Sequence, residues 1–276
     1  MQLTNITNSM EVGNGLLINN DCLKAMDELI AQGVTVDAII TDPPYWTTAC
    51  KWDTVIPFDK MWERLKRIIK PNWAIVLFGN EPFSSILRMS NIEQYKYDWI
   101  WVKSRKNGFV HAKGMPLRQT ESVHIFSEGS IRRDSNIPMK YNPQGVEDVI
   151  IDRVNYVKTT ATNSGGNKVG TSYKQKGVGY PVNLIQFKGV GTKQQVHPTQ
   201  KPVALLEYLI KTYTNEWETV LDFTAGSFST CVAADNTNRK WIWIEMSEEY
   251  CKIWKDRIIK NRIENKLDLL DFTSNI

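Results

Sequence analysis

The stretch that decides the fold runs from Val36 to Tyr45 and reads VDAIITDPPY. Its first part, Val36–Ile40, is a short apolar run rich in β-branched residues, which is typical of a strand buried in a parallel sheet. Thr41 and Asp42 follow where such a strand meets a loop, and ligands of open α/β sheets bind at the carboxyl ends of the strands. The stretch therefore predicts a buried strand that leads directly into a binding site.

Strands and helices alternate along the chain on both sides of this stretch. Apolar residues at helical spacing from Phe58 predict a helix that Pro71 closes, and a second helix is expected over 81–89. Strands are predicted at 74–78, 98–102, 122–126, 219–222 and 241–245, and further helices at 202–213, after Ser229 and at 248–263. This alternation indicates an α/β sheet with helices on its faces.

A polar and basic segment interrupts the alternation between about residues 129 and 196. The chain has no acidic residue between Asp98 and Glu121, nor between Asp152 and Glu207, although Lys and Arg occur in both intervals. A polyanionic partner would explain this distribution, because each carboxylate there would repel phosphates; the alternative is a flexible, solvated face. We expect residues 1–128 and 197–276 to form one α/β core, with 129–196 as an insertion.

The composition excludes several other classes of protein. Among 276 residues, 42% are hydrophobic and 23% are charged, which is normal for a globular chain and unlike a mainly disordered one. No apolar run approaches the ~20 residues that a membrane helix needs, and the start of the chain does not resemble a secretion signal. Four widely spaced cysteines and three histidines favour a cytoplasmic protein without a metal site.

Asp42, Pro43, Pro44 and Tyr45 are the candidate catalytic residues. Two successive prolines fix φ and remove two backbone donors, so their carbonyl groups stay free to accept hydrogen bonds. A planar group with an exocyclic amine suits this set: Asp42 and the Pro43 carbonyl can accept from the amine, while Tyr45 stacks on the ring. The alternative interpretation is a Pro-Pro turn with a structural tyrosine.

Asp42–Tyr45 resembles the catalytic motif of the DNA amino-methyltransferases, which methylate adenine N6 or cytosine N4 with S-adenosylmethionine. Four more segments are similar to motifs of this family, namely Asn20–Leu23, His197–Val203, Asp222–Ser227 and Ile244–Glu245. The catalytic motif comes first, the cofactor loop comes late, and a recognition insertion lies between them, which is the order of the family's β group. The resemblance implies a Rossmann-like methyltransferase sheet with helices on both faces and an inserted basic target-recognition region.

The resemblance also implies a binding site for S-adenosylmethionine. Glu245 is expected to accept from both ribose hydroxyls, and Lys201 either reaches the methionine carboxylate or lies in solvent. Phe228 departs from the family's usual glycine; Ser229 and Thr230 can still begin the following helix, and we expect the phenylalanine ring to pack beneath that helix. The residues assigned to the cofactor are Asp21, Cys22, Lys201, Asp222, Phe223, Thr224, Ala225, Gly226, Ser227 and Glu245.

The reaction implied is direct methyl transfer to adenine N6 in double-stranded DNA, with the target base flipped out of the helix. Alternatives are methylation of cytosine N4, methylation of RNA, or a catalytically silent DNA-binding subunit; Asp42 and the motif order argue against a glutamine methyltransferase. A companion restriction endonuclease and a homodimer are further partners that the resemblance allows.

We expect the DNA backbone to be held by Lys103, Arg105 and Lys106. The residues expected to read bases are Asn163, Asn167, Lys174 and Gln175.

Overall fold

The computed structural model describes residues 6–45, 54–157, 169–189 and 200–252. Five α-helices lie in these ranges: α1 (Cys22–Ala31), α2 (Phe58–Ile68), α3 (Phe83–Ser90), α4 (Val203–Tyr213) and α5 (Ser229–Asn236). The strands are β1 (Ser9–Val12), β2 (Gly15–Asn19), β3 (Val36–Thr41), β4 (Ile69–Gly79), β5 (Tyr95–Asn107), β6 (Arg118–Phe126), β7 (Glu147–Val157), β8 (Val169–Val178), β9 (Leu184–Phe187), β10 (Thr219–Asp222) and β11 (Lys240–Glu245). Residues 248–252 are helical, and the rest of the predicted last helix lies outside the described residues.

Nine strands form one mixed sheet in the order β1-β2-β11-β10-β3-β4-β6-β5-β9. The five from β2 to β4 in this order run parallel to one another. β6 is antiparallel to β4, and β5 is antiparallel to β6. The carboxyl ends of β2, β11, β10, β3 and β4 therefore share one edge of the sheet, where ligands of such folds bind.

Helices cover both faces of this sheet, which confirms the predicted α/β fold. Every residue of β3 is buried, as expected for a central strand. Its side chains alternate between two apolar layers: Ile39 faces the layer with α1, α2 and α3, whereas Ala38 and Ile40 face the layer with α4 and α5. The site at the strand ends thus rests on a core that is packed from both sides.

The prediction that Pro71 closes the helix is wrong. α2 ends at Ile68 and the chain enters β4 directly, so Pro71 lies near the start of a strand. The register between β3 and β4 shifts between Val36 and Ala38, and Asn72 adopts a φ of 62°. A proline has no N–H for the ladder, and such an irregularity is where a strand tolerates one.

The segment 129–196 does not stand apart from the core as a whole. Met139 is buried in the main core, and β9 pairs in parallel with β5. Residues 143–182 form a compact unit of their own, in which β7 and β8 pair as an antiparallel hairpin. β9 is only four residues long and buries one apolar side chain, Ile185, which explains why the polar composition around it concealed a strand.

In the part of the chain that the structure describes, no helix is long and apolar enough to cross a membrane. The same residues contain no group of three or more His, Cys, Asp or Glu side chains that could hold a metal ion. Cys22, Cys231 and Cys251 carry free thiols.

Candidate active site

A cavity of about 410 Å³ lies at the shared carboxyl edge of the parallel strands. Its volume is within the ~300–1,000 Å³ that is usual for small-molecule sites. The cavity brings together segments that are far apart in the sequence. The predicted residues that line it are Asp21, Cys22, Asp42, Pro44, Lys201, Asp222, Phe223, Thr224, Ala225, Gly226, Ser227 and Glu245.

One wall of the cavity is the start of α1. The Asp21 carboxylate caps this helix, because its Oδ1 accepts from the backbone N–H groups of Leu23 and Lys24, both at 3.1 Å. Burial raises the pKa of the neighbouring Cys22 thiol to about 12. Cys22 is therefore a protonated thiol at neutral pH, which does not suit a nucleophile.

Another part of the cavity lining is the segment Asp222–Ser227, which begins at the last residue of β10, together with the end of β11. Glu245 Oε2 accepts from the Gly226 N–H at 2.8 Å, and Oε1 accepts from the Ser247 N–H at 2.7 Å. Burial raises the pKa of Glu245, while these backbone donors favour its ionised form. Each carboxylate oxygen has two acceptor sites, so Glu245 can receive further donors from a ligand in the cavity.

Phe228 occupies the position where the resembled family usually has glycine, directly before α5. Its backbone has a φ of 68°, in the left-handed region that glycine favours. The ring is buried and packs edge-on against Trp243. The loop thus keeps a glycine-like backbone, and burial of the aromatic ring offsets the strain.

Hydrogen bonds of threonine hydroxyl groups connect this loop to the candidate catalytic segment Asp42–Tyr45. The Thr41 hydroxyl donates to Asp222 Oδ1 at 2.5 Å and lies 2.7 Å from the Thr224 hydroxyl, which is 3.2 Å from the Asp42 carbonyl oxygen. Burial raises the pKa of Asp222 to about 6, although the Thr41 hydroxyl opposes this shift. The ends of β3 and β10 are therefore held in a fixed relation around the cavity.

Asp42 lies in a buried network of alternating charges. The Tyr45 hydroxyl donates to its Oδ1, and Lys201 Nζ donates to its Oδ2. Lys201 also pairs with Glu121 Oε1 at 2.9 Å, while Lys103 pairs with the other oxygen of Glu121. Burial raises the pKa of Asp42, and Lys201 counteracts this effect. Glu121 also loses hydration on burial, but Lys201 and Lys103 keep its pKa below the ordinary value.

Glu121 is a site residue that sequence reasoning missed. It lies on β6 with only 4% of its surface exposed, and both of its oxygens pair with lysines. The available signal was a carboxylate that ends an acid-free interval and directly precedes the strand predicted at 122–126. Charged residues are seldom fully buried unless they are paired, so an acid next to a buried strand calls for a cationic partner.

Of the two expectations for Lys201, the structure tests the one that places its side chain in solvent. The alternative in which it lies in solvent is wrong, because Lys201 is buried against Asp42 and Glu121.

The Tyr45 ring packs on Phe83, with ring centroids 4.9 Å apart. Pro43 is buried, and Pro44 faces the cavity.

The residues expected to contact DNA lie in different settings. Lys103 pairs with Glu121 and is largely covered, whereas Arg105 and Lys106 are exposed at the end of β5. In the compact unit 143–182, Lys174 is exposed on β8, and Gln175 is its neighbour in the same strand. Asn163 and Asn167 lie outside the described residues.

The family model for DNA methylases, which covers N6 and N4 amino-methyltransferases, matches residues 36–256. The chain therefore belongs to this DNA methylase family, which confirms the resemblance seen in the motifs.

Two curated relatives and one solved structure are similar to this chain. The DNA adenine methyltransferase YhdJ of Escherichia coli is 47% identical over 265 residues, which cover 88% of this chain and 82% of YhdJ. The orphan methyltransferase M.BamHII of Bacillus amyloliquefaciens is 39% identical over 262 residues, or 84% and 94% of the two chains. The crystal structure of an M1.HpyAVI–SAM complex shares the fold, with a TM-score of 0.59 and 24% identity over 88% of this chain and 98% of that one.

Proposed function

We propose that this DNA methyltransferase transfers a methyl group from S-adenosylmethionine to adenine N6 in double-stranded DNA. The observation that carries the proposal is the position of the Asp42 carboxylate, which opens onto the same cavity as the Asp222–Ser227 loop and Glu245. An acceptor for an amine therefore faces a site with features that suit a nucleoside. The choice of adenine is supported by the 47% identity to an enzyme named as a DNA adenine methyltransferase.

The cavity suits S-adenosylmethionine in its chemistry as well as in its volume. Glu245, fixed by two backbone N–H groups, would accept from the ribose hydroxyls. Val55, Ile56 and Tyr250 line the same cavity with apolar surface that suits an adenine ring. When bound, the cofactor supplies an electrophilic methyl group on a positively charged sulfur.

Asp42 and the Pro43 carbonyl would orient the target amine. Hydrogen bonds from the amine to these two acceptors favour a pyramidal nitrogen, whose lone pair then points towards the methyl group. Because burial raises the pKa of Asp42, its carboxylate is also a competent acceptor for the proton that the methylated nitrogen releases. This mechanism needs no covalent intermediate on the protein.

Tyr45 would stack on the flipped base. Its ring rests on Phe83, and its hydroxyl donates to Asp42, so both ends of the side chain are held. Stacking of a base on an aromatic side chain contributes ~1–3 kcal/mol, which offsets part of the few kcal/mol that flipping costs.

The proposal for target recognition rests on the compact unit 143–182 and its flanks. Its Asn, Gln, Lys and Thr side chains, among them Asn163, Asn167, Lys174 and Gln175, provide donors and acceptors for base edges. Exchanging this segment with that of a relative should change which sequence is methylated, as read by methylation-sensitive sequencing. An active chimera with an unchanged site preference would contradict this role.

A matched pair of variants tests the reaction. Asp42→Asn removes the charge at the site, whereas Asp37→Asn removes a buried charge at the opposite end of β3, where Asp37 pairs with Lys70 at 2.5 Å. We expect transfer of labelled methyl groups from S-adenosylmethionine to DNA by the wild type and by Asp37→Asn, but not by Asp42→Asn. Absence of transfer by the wild-type protein would favour the silent DNA-binding subunit, and full activity of Asp42→Asn would refute the catalytic assignment.

A further inference from the structure

The turn between β5 and β6 presents apolar side chains to solvent. Phe109 is 68% exposed and Val110 is 93% exposed, and Met115 nearby is 41% exposed. The turn is compact: His111 N–H donates to the Gly108 carbonyl at 2.9 Å, and Met115 N–H donates to the His111 carbonyl at 3.0 Å. Such a preformed apolar tip loses little conformational freedom when it binds a partner.

Strand register places this tip beyond the edge of the sheet that carries the active site. Gly79, at the carboxyl end of β4, pairs with Ser122 of β6, so Glu121 is the next residue past that edge. Beyond Glu121, Thr120 pairs with Val102, and after a shift in register Arg118 pairs with Asn107. At ~3.3 Å per residue, the hairpin extends about 10 Å past Glu121 before it turns.

The surroundings of the tip are basic. Arg105 and Lys106 precede it, His111 and Lys113 lie within it, and no acidic residue occurs between Asp98 and Glu121. A second cavity of about 480 Å³ lies at its base, and its lining includes Asn107, His111 and Arg118. DNA complements such a tip, because its stacked bases form an apolar interior between two negatively charged phosphate backbones. The apolar side chains would contact the bases, and the cationic flanks would contact the phosphates.

We propose that Phe109 and Val110 form a wedge that enters the DNA base stack at the position of the target base. This inference rests on the proposed function, because the wedge would occupy the space that the flipped base leaves. Apolar side chains inserted between bases partly unstack the duplex, and the cationic flanks would hold the phosphates on either side. The wedge would thus favour the flipped state, while Asp42 and Tyr45 receive the base.

The test is a double variant, Phe109→Ala with Val110→Ala, assayed on two DNA duplexes. Both carry the site identified by methylation-sensitive sequencing, one fully paired and one with a mismatch opposite the target adenine, which makes flipping easier. Ile86→Ala is the control, because Ile86 is an exposed apolar residue on α3. We expect kcat/KM of the double variant to fall at least tenfold on the paired duplex and to return to within about threefold of wild type on the mismatched one. Ile86→Ala should match the wild type on both.

Fluorescence of 2-aminopurine at the target position gives a second readout, which should increase with the wild type and much less with the double variant. An equal loss on both duplexes, no loss on either, or a changed oligomeric state in sedimentation would overturn the wedge. A wild-type protein that methylates neither duplex would refute the proposed function itself, and the wedge with it.

Discussion

Replacing Lys201 by methionine removes the ammonium group that lies between the carboxylates of Asp42 and Glu121. Methionine keeps the length and apolar contacts of the lysine stem, so the main change is in charge. Burial already raises the pKa of Asp42, and Lys201 is the main group that counteracts it. Without this cation, Asp42 and Glu121 become two neighbouring buried acids, and like charges in such a site favour retention of a proton.

The size of the change in the pKa of Asp42 follows from the loss of one close opposite charge. A close opposite charge lowers the pKa of a carboxyl by ~1–3 units, so its removal should raise the pKa of Asp42 by about that amount. Each unit corresponds to ~1.4 kcal/mol. Removing one partner of a buried ion pair also destabilises a fold by ~3–5 kcal/mol. Because the folded pKa of Asp42 is above its unfolded value, the variant should lose stability as pH rises from ~4 towards the new pKa.

The assay is kcat/KM for methyl transfer as a function of pH. We expect its acid limb to move to higher pH in Lys201→Met, because Asp42 must be ionised to accept from the amine and is protonated below its raised pKa. Lys70→Met is the control, since Lys70 also pairs with a buried aspartate, Asp37, but lies away from the cavity. An unchanged acid limb combined with weaker binding of S-adenosylmethionine would refute this reasoning and would assign Lys201 to the cofactor.

Substitutions at three further positions have defined outcomes. Glu245→Ala should weaken S-adenosylmethionine binding in calorimetry at least tenfold, because the ribose acceptor is lost; unchanged affinity would move the cofactor site elsewhere. Tyr45→Ala should lower kcat/KM by the ~1–3 kcal/mol of lost stacking, and Tyr45→Phe should retain most of that stacking. Phe228→Gly relieves a left-handed backbone that costs ~1–2 kcal/mol but removes a buried ring that contributes ~3–5 kcal/mol. Thermal unfolding should therefore show a lower midpoint for Phe228→Gly, and a higher one would show that strain outweighs packing.

The elements that could be predicted are those that a short, continuous stretch of the sequence indicates. The run Val36–Ile40 and the polar residues after it predicted both a central buried strand and the edge at which the cavity lies. The motif at Asp222–Ser227 and the acid at Glu245 likewise follow strand ends that the parallel sheet must bring together. Period, burial and strand direction are sufficient for such inferences.

The features that were missed depend on contacts between distant residues. Glu121 pairs with Lys201, which is 80 positions away in the sequence, and no local pattern indicates that a strand acid and a loop lysine will meet. β9 pairs with β5, from which the residues 143–182 separate it in the sequence, and its four residues are too few to show a period of their own. Pro71 was mistaken for a helix terminator because the irregularity that admits it appears only in the register of β3 and β4.

The most direct test of the central claim is the chemical identity of the methylated base. DNA treated with the wild-type protein and S-adenosylmethionine would be digested to deoxynucleosides. The products would be separated by chromatography beside N6-methyl-2′-deoxyadenosine and N4-methyl-2′-deoxycytidine standards, and DNA treated with Asp42→Asn would serve as the negative control. The adenine assignment predicts N6-methyladenine in the wild-type digest and neither product in the Asp42→Asn digest. N4-methylcytosine as the sole product would contradict the adenine assignment, and N6-methyladenine formed equally by Asp42→Asn would contradict the role of Asp42.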